Sequence, residues 1–134
     1  MPPSTTRPSR FGQKLLWVDC AGAALAGVVV LVLSGWLSQV EGLPRGVLLF
    51  TGAANVAYAA YSFSLAVRPE RPMVLIKALV LANLAWSGVC VGLLAAFSAT
   101  ATPFALLHLG GEAVYVGGLA TLEWRHRDLI ATAA

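Results

Sequence analysis

Charge is what this chain has least of. Asp, Glu, Lys and Arg together make up 11% of its 134 residues, where a soluble domain carries about 25%. With 58% hydrophobic residues and a mean hydropathy of +0.78, that shortage excludes an ordinary soluble domain and places the chain in lipid. Cysteine is nearly absent too. The two present, Cys20 and Cys90, fall on different helices at depths differing by roughly 15–20 Å at 1.5 Å per residue. A disulfide needs Cα atoms within about 7 Å, so two free thiols are expected, and their separation argues against a Cys-rich metal site. There is no Gly-rich phosphate loop, no nucleophile elbow and no paired carboxylate in the sequence pattern. No Ser-His-Asp set occurs at a plausible depth. A basic patch with aromatic or fold support is also missing, which argues against nucleic acid as a partner.

What the chain does have is four long apolar runs. A spanning helix needs about 20 apolar residues, and the runs predict helices over residues 15–37, 44–67, 73–97 and 103–124. The expected fold is all-α: a polytopic four-transmembrane-helix bundle with short loops, occupying residues 15–124. Residues 1–14 are rich in Pro, Ser and Thr and read as a disordered cytoplasmic tail. The first run is too long for a signal-peptide core and no clear cleavage site follows, so it reads as a retained first helix. Residues 38–43 form a linker, and Pro44 suits the first turn of the second helix. Pro69 and Pro72 bar helix continuation between the second and third helices. Thr102 followed by Pro103 is the pattern of an N-cap and a first-turn proline. Residues 125–134 read as a short cytoplasmic tail.

The positive-inside rule gives the threading. With both termini inside, Arg7, Arg10, Lys14, Arg68, Arg71, Lys77, Arg125 and Arg127 fall on the cytoplasmic side, and only Arg45 of the nine Lys and Arg lies outside. Trp17, Trp36 and Trp124 sit at helix ends, as aromatic belts do. Trp86 lies well inside the third helix and needs another reason.

The polar residues inside the helices are the functional candidates. Glu112 sits near the middle of the fourth helix, with His108 one turn before and Tyr115 one turn after. Positions i, i+3, i+4 and i+7 share a helix face, so the three form one stripe. Intramembrane carboxylates are rare and usually face a partner or a cavity. Counting depth along each helix places Asn55, Asn83, Trp86 and Glu112 in one layer roughly 15–20 Å in, with Tyr58 and Tyr115 about a turn below. The first helix meets this layer with Ala26 and Gly27, which leave space. The layer can enclose a small cavity. It can equally be structural, since Asn side chains commonly join membrane helices and an isolated buried carboxyl favours its neutral form. Asp19 and Lys77, each about a turn inside the cytoplasmic boundary, are a possible ion pair; alternatively Lys77 snorkels to the headgroups and Asp19 stands at a helix N-terminus. His108 is a candidate partner or proton relay for Glu112. With His126 at the opposite face there is no second histidine for haem, and one imidazole with one carboxylate makes a thin metal site. No metal and no cofactor are therefore expected. Gly88-x-x-x-Gly92, and Gly110, Gly111, Gly117 and Gly118, permit close helix approach. Asn55-x-x-Tyr58 and Glu112-x-x-Tyr115 lie at equal offset in the second and fourth helices, each followed by an Arg, Arg68 and Arg125; the first and third helices show no such match.

The expectation is a small multi-pass protein of a bacterial cytoplasmic membrane that binds or moves a small solute or proton through a polar layer around Glu112. The rival reading is a non-catalytic accessory subunit of a larger membrane complex; a small membrane enzyme is third. Its partners would be the bilayer and either further copies of itself or a larger membrane protein.

Overall fold

A computed structural model describes residues 10–131. All regular structure among them is helical: α1 (Arg10–Val32), α2 (Ser34–Glu41), α3 (Arg45–Ala66), α4 (Met73–Ala96), α5 (Pro103–Ala105), a π-helical turn over Leu106–Gly110, α6 (Gly111–Arg125) and α7 (Arg127–Ile130). Four helices are long and apolar enough to cross a membrane: Arg10–Val32, Arg45–Ala66, Met73–Ala96 and the composite Pro103–Arg125. Many large apolar side chains point outward, among them Leu25, Val32, Val74, Leu81, Leu107 and Val114, leaving the outside of the bundle apolar.

Several boundaries differ from those expected. The first helix begins at Arg10 rather than at residue 15, so the part of the expected tail that the structure describes is helical; residues 1–9 lie outside the described residues. It also continues past residue 37. Leu33 interrupts it for one residue, but Leu33 N–H still donates to Val29 O and Leu37 N–H to Leu33 O, so α2 runs on from α1. It stops at Gly42, whose φ of 68° is left-handed and whose N–H closes on Ser38 O at 3.1 Å. Glycine is the residue that takes this conformation without penalty. The expected linker is therefore mostly helix, which carries Glu41 into the bundle. Thr102 occupies the N-cap position of α5 but its hydroxyl makes no capping bond. It donates instead to Val40 O at 2.7 Å, while Thr102 N–H donates to Glu41 O at 3.0 Å. These bonds tie the end of α2 to the start of α5. At the other extremity α7 adds one helical turn where a tail was expected; residues 132–134 lie outside the described residues.

The helices pack most closely in two pairs, α1 with α3 and α4 with α6. The first pair closes on two glycines: a Cβ added at Gly27 would lie 2.9 Å from Gly52 O and from the Val56 nitrogen. In the second pair Ser87 Oγ donates to Ala113 O at 2.9 Å. The expected glycine contacts are only partly there. Gly88, Gly92, Gly111 and Gly118 have nothing within 4 Å of an added Cβ and so face outward; the close approach inside the bundle is at Gly27 and Gly52.

Two apolar clusters close the ends. Leu15, Leu16, Leu65, Ala66, Ile76, Leu79, Leu119 and Ile130 pack at the end where α1 begins. Val30, Leu43, Leu48, Cys90, Ala105, Leu109 and Ala113 pack at the far end. Both cysteines are buried free thiols. Buried Arg71 locks the first end: its guanidinium donates to Gln13 Oε1 and, at 3.0 Å, to Ile130 O. Burial lowers its pKa from the ordinary arginine value. Between the two apolar ends lies the polar interior.

Candidate functional site

Four of the six carboxylates in the sequence turn inward. Asp19, Glu41 and Glu123 are 1% exposed or less, and the Glu112 side chain is 8% exposed. A carboxylate in such a place needs donors, and their sources define the site.

The first group is centred on Glu112. Its Oε1 accepts hydrogen bonds from Asn55 Nδ2 on α3 and Trp86 Nε1 on α4, both at 2.6 Å. The interior position of Trp86 is thereby explained. His108 Nε2 stands 3.4 Å from Glu112 Oε2, and His108 Nδ1 stands 2.7 Å from Glu41 Oε1 on α2. The imidazole thus lies between two carboxylates. A neutral ring donates to one of them and offers a lone pair to the other; a protonated ring donates to both. His108 sits within the π-helical turn, an irregularity that often marks functional positions. With its side chain 19% exposed and both ring nitrogens buried, it is largely enclosed rather than simply wet.

The second group is centred on Asn83. Its Nδ2 lies 2.6 Å from Glu123 Oε1 and 3.3 Å from Asp19 Oδ2. One amide nitrogen therefore serves two carboxylates, from α1 and α6. Tyr58 adds a hydrogen bond to Asp19 Oδ2 at 2.6 Å. Glu123 Oε2 meets no hydrogen-bond donor among the described residues.

A cavity of about 220 Å³ joins the two groups. Asp19, Asn55, Tyr58, Asn83, Trp86, Glu112 and Tyr115 line it, together with Gly22, Ala23, Ala26, Ala54, Ala82 and Val116. Drug-sized pockets begin near 300 Å³, so this one suits something smaller. Tyr115 closes the side between α1 and α6. It lies over Gly22, where an added Cβ would collide with its hydroxyl, and donates to Val18 O at 3.0 Å. A separate surface hollow at the far end is lined by Glu41, His108, Trp36 and Phe104, and Ala26 lines both spaces.

The expected single layer is thus two levels. Asn55, Trp86 and Glu112 meet directly, whereas Asn83 belongs with Asp19 and Glu123. Asn55 and Glu112, the positions at equal offset in their helices, face and bond each other. Tyr58 bonds Asp19, and Tyr115 lines the cavity without bonding Glu112. Lys77 is exposed on the outside of α4, beside Trp124, and makes no ion pair with Asp19 among the described residues; Asp19 is held by Tyr58 and Asn83 instead. Paired carboxylates, expected to be absent, are present as Asp19 with Glu123. Glu123 and Glu41 were not among the candidates. Glu123 follows Glu112 by eleven residues, about three helical turns, which returns it to the same face; that spacing was the available signal. Glu41 had no comparable one, because it depends on α2 persisting to Gly42.

The described residues contain no cluster of three or more His, Cys, Asp and Glu side chains arranged to hold a metal ion. Comparison with family models, curated proteins and solved structures finds no match.

Proposed function

We propose that this protein spans a bacterial cytoplasmic membrane four times and carries protons, exchanged against a small solute, through the polar interior around Glu112. The observation that carries this reading is the burial of four of six carboxylates along one line through the bundle: Glu41, Glu112, Asp19 and Glu123. Intramembrane acids are costly and are typical of ion pathways and proton relays. Structural glue would be served by neutral amides, which join membrane helices at about 0.6–2 kcal/mol each. Here the amides Asn55 and Asn83 instead act as donors to acids.

The sequence of groups suits proton passage. Protons enter from the hollow beside Glu41 and His108, move to Glu112, and cross the cavity to Asp19 and Glu123. The two neighbouring carboxylates share one donor, the Asn83 amide. The apolar clusters at each end suit an occluded state. Rocking of the α1–α3 pair against the α4–α6 pair opens one end at a time, as in carriers built from paired halves. Orientation follows from the cations: Arg10, Lys14, Arg68, Arg71, Lys77, Arg125 and Arg127 belong to the end where α1 begins, and Arg45 stands alone at the other. That bias supports a cytoplasmic first end.

Infrared spectroscopy of the carboxyl C=O stretch tests the proton role. A band that titrates between pH 5 and 9 and disappears in Glu112→Gln supports it; a carboxyl spectrum unchanged across that range overturns it. A second reading, an accessory subunit of a larger membrane complex or a homo-oligomer, is favoured by one observation. The outward-facing Gly88, Gly92, Gly111 and Gly118 leave α4 and α6 open to close helix approach. Native mass after gentle extraction separates these cases: a multiple of 14.0 kDa indicates self-association, and a larger co-purifying polypeptide indicates a host complex.

A further inference from the structure

The composition of the cavity wall limits the class of solute it can take. Two acids, Asp19 and Glu112, line it from opposite helix pairs, and no Lys, Arg or His does. Anions are therefore repelled. Three aromatic rings, those of Tyr58, Trp86 and Tyr115, contribute to the same wall, and the rest is mostly alanine and glycine carbon. Acids with π-faces and apolar carbon, and few free donors, form the surroundings that a soft organic cation prefers. A hydrated metal ion would want a shell of convergent oxygens instead. The donors in the wall are already committed: Asn55 and Trp86 to Glu112, Asn83 and Tyr58 to Asp19. A neutral hydrogen-bonding solute would have to break these bonds, whereas an alkylammonium ion needs none of them. Glu112 Oε2 remains without a hydrogen bond, its nearest donor His108 Nε2 standing off at 3.4 Å, although the side chain is more than nine-tenths buried. The volume matches roughly seven waters at about 30 Å³ each, enough for a compact quaternary ammonium group and too little for a large aromatic drug.

We propose that this cavity binds a small alkylammonium ion between Asp19 and Glu112 in exchange for protons held on the buried acids. The proposal rests on the proton-carrier reading of the same site. In the exchange the carboxylic O–H bond breaks, the proton leaves to water, and the carboxylate is neutralised by the incoming cation; no covalent bond to the cation forms. The titratable groups facing Glu112 are His108, with Glu41 behind it, and the Cys90 thiol. Those facing Asp19 are Tyr58, Tyr115, Glu123 and Cys20.

The test is calorimetric binding of tetramethylammonium to the full chain in detergent from pH 5.5 to 8.5, with tert-butanol as a neutral probe of similar size. The expected result is a Kd below about 10 mM, reasonable for a five-heavy-atom ligand, that tightens by up to tenfold per pH unit where one proton is displaced. Binding is lost in Glu112→Gln and weakened in Trp86→Leu, and tert-butanol does not bind. The Gln variant keeps an amide oxygen for the Asn55 and Trp86 donors, and Trp86→Phe, which retains a ring, should bind better than Trp86→Leu whether or not the Gln variant folds. No tetramethylammonium binding at any pH to folded wild-type protein overturns the cation proposal; a titrating carboxyl band in that same sample would leave the proton path standing. Binding that ignores pH overturns the exchange itself, and equal binding of both probes overturns the charge argument.

Discussion

Replacing Asn83 with leucine should be among the most damaging single changes in the bundle interior. The substitution nearly conserves volume, so packing loss is small. What is removed is the one donor shared by Glu123 and Asp19, at 2.6 and 3.3 Å. Asp19 keeps its bond from Tyr58 at 2.6 Å. Glu123 keeps no donor among the described residues, and it is fully buried. Leaving a buried acceptor unsatisfied costs about 1–3 kcal/mol, and more if it is charged. Hydrogen bonds between membrane helices average about 0.6 kcal/mol, so Asn83→Leu should lie well above that average, at about 2–3 kcal/mol. The pair can be separated from the site by a double-mutant cycle. Glu123→Met on the Asn83→Leu background removes the stranded acid, and replacing a whole buried polar group with apolar side chains is often neutral or favourable. Stability measured by equilibrium unfolding in mixed detergent micelles should therefore recover by at least half, with a coupling of about 1–3 kcal/mol. An effect of Asn83→Leu within about 0.5 kcal/mol, as expected of surface substitutions, or strictly additive single and double mutants, would refute the reasoning.

Other consequences concern packing and pairing. Gly27→Leu should cost about 1–3 kcal/mol or more by forcing α1 off α3, while Gly88→Ala, with nothing within 4 Å, should leave monomer stability within about 0.5 kcal/mol; the same unfolding assay compares them. Gly42→Ala should destabilise the α2–α3 turn, because the position has φ of 68° and an added Cβ would strike Thr100 O; reduced expression and faster proteolysis at that turn would report it. The charge swap Asp19→Lys with Lys77→Asp should fail to rescue the expression lost in Asp19→Lys alone, since Asp19 is held by Tyr58 and Asn83. Cys20 and Cys90, both buried, should react with maleimide only after denaturation.

The four long helices, apolar enough to cross a membrane, were legible because each is set by some 20 apolar residues, a signal long enough to outweigh local ambiguity. Their ends were less so. The first helix outlasts its apolar run at both extremities because Arg10, Lys14 and Glu41 find a place within helical structure. Trp124 and Arg125 marked a water boundary convincingly enough to hide Glu123 directly before them, although a helix face repeats at eleven residues. The pairing of Asn55 and Trp86 with Glu112 was near the surface of the pattern, since equal depth can be counted. The partner of Asp19 was not, because depth says nothing of which way a side chain turns, and Lys77 turns outward. The Gly88 and Gly92 spacing identifies a smooth helix face but not what that face meets. The one-residue break at Leu33 and the π-helical turn at His108 leave no mark in the sequence.

The central claim is that the buried acids move protons. Its most direct test is proton flux into proteoliposomes carrying a trapped pH indicator, with an imposed pH gradient and tetramethylammonium inside. Wild-type protein should dissipate the gradient faster with the cation present than without it, and Glu112→Gln, incorporated to the same level, should return the rate to that of empty vesicles. Equal flux through wild-type and Glu112→Gln vesicles, or wild-type flux no greater than that of empty vesicles, would contradict the account.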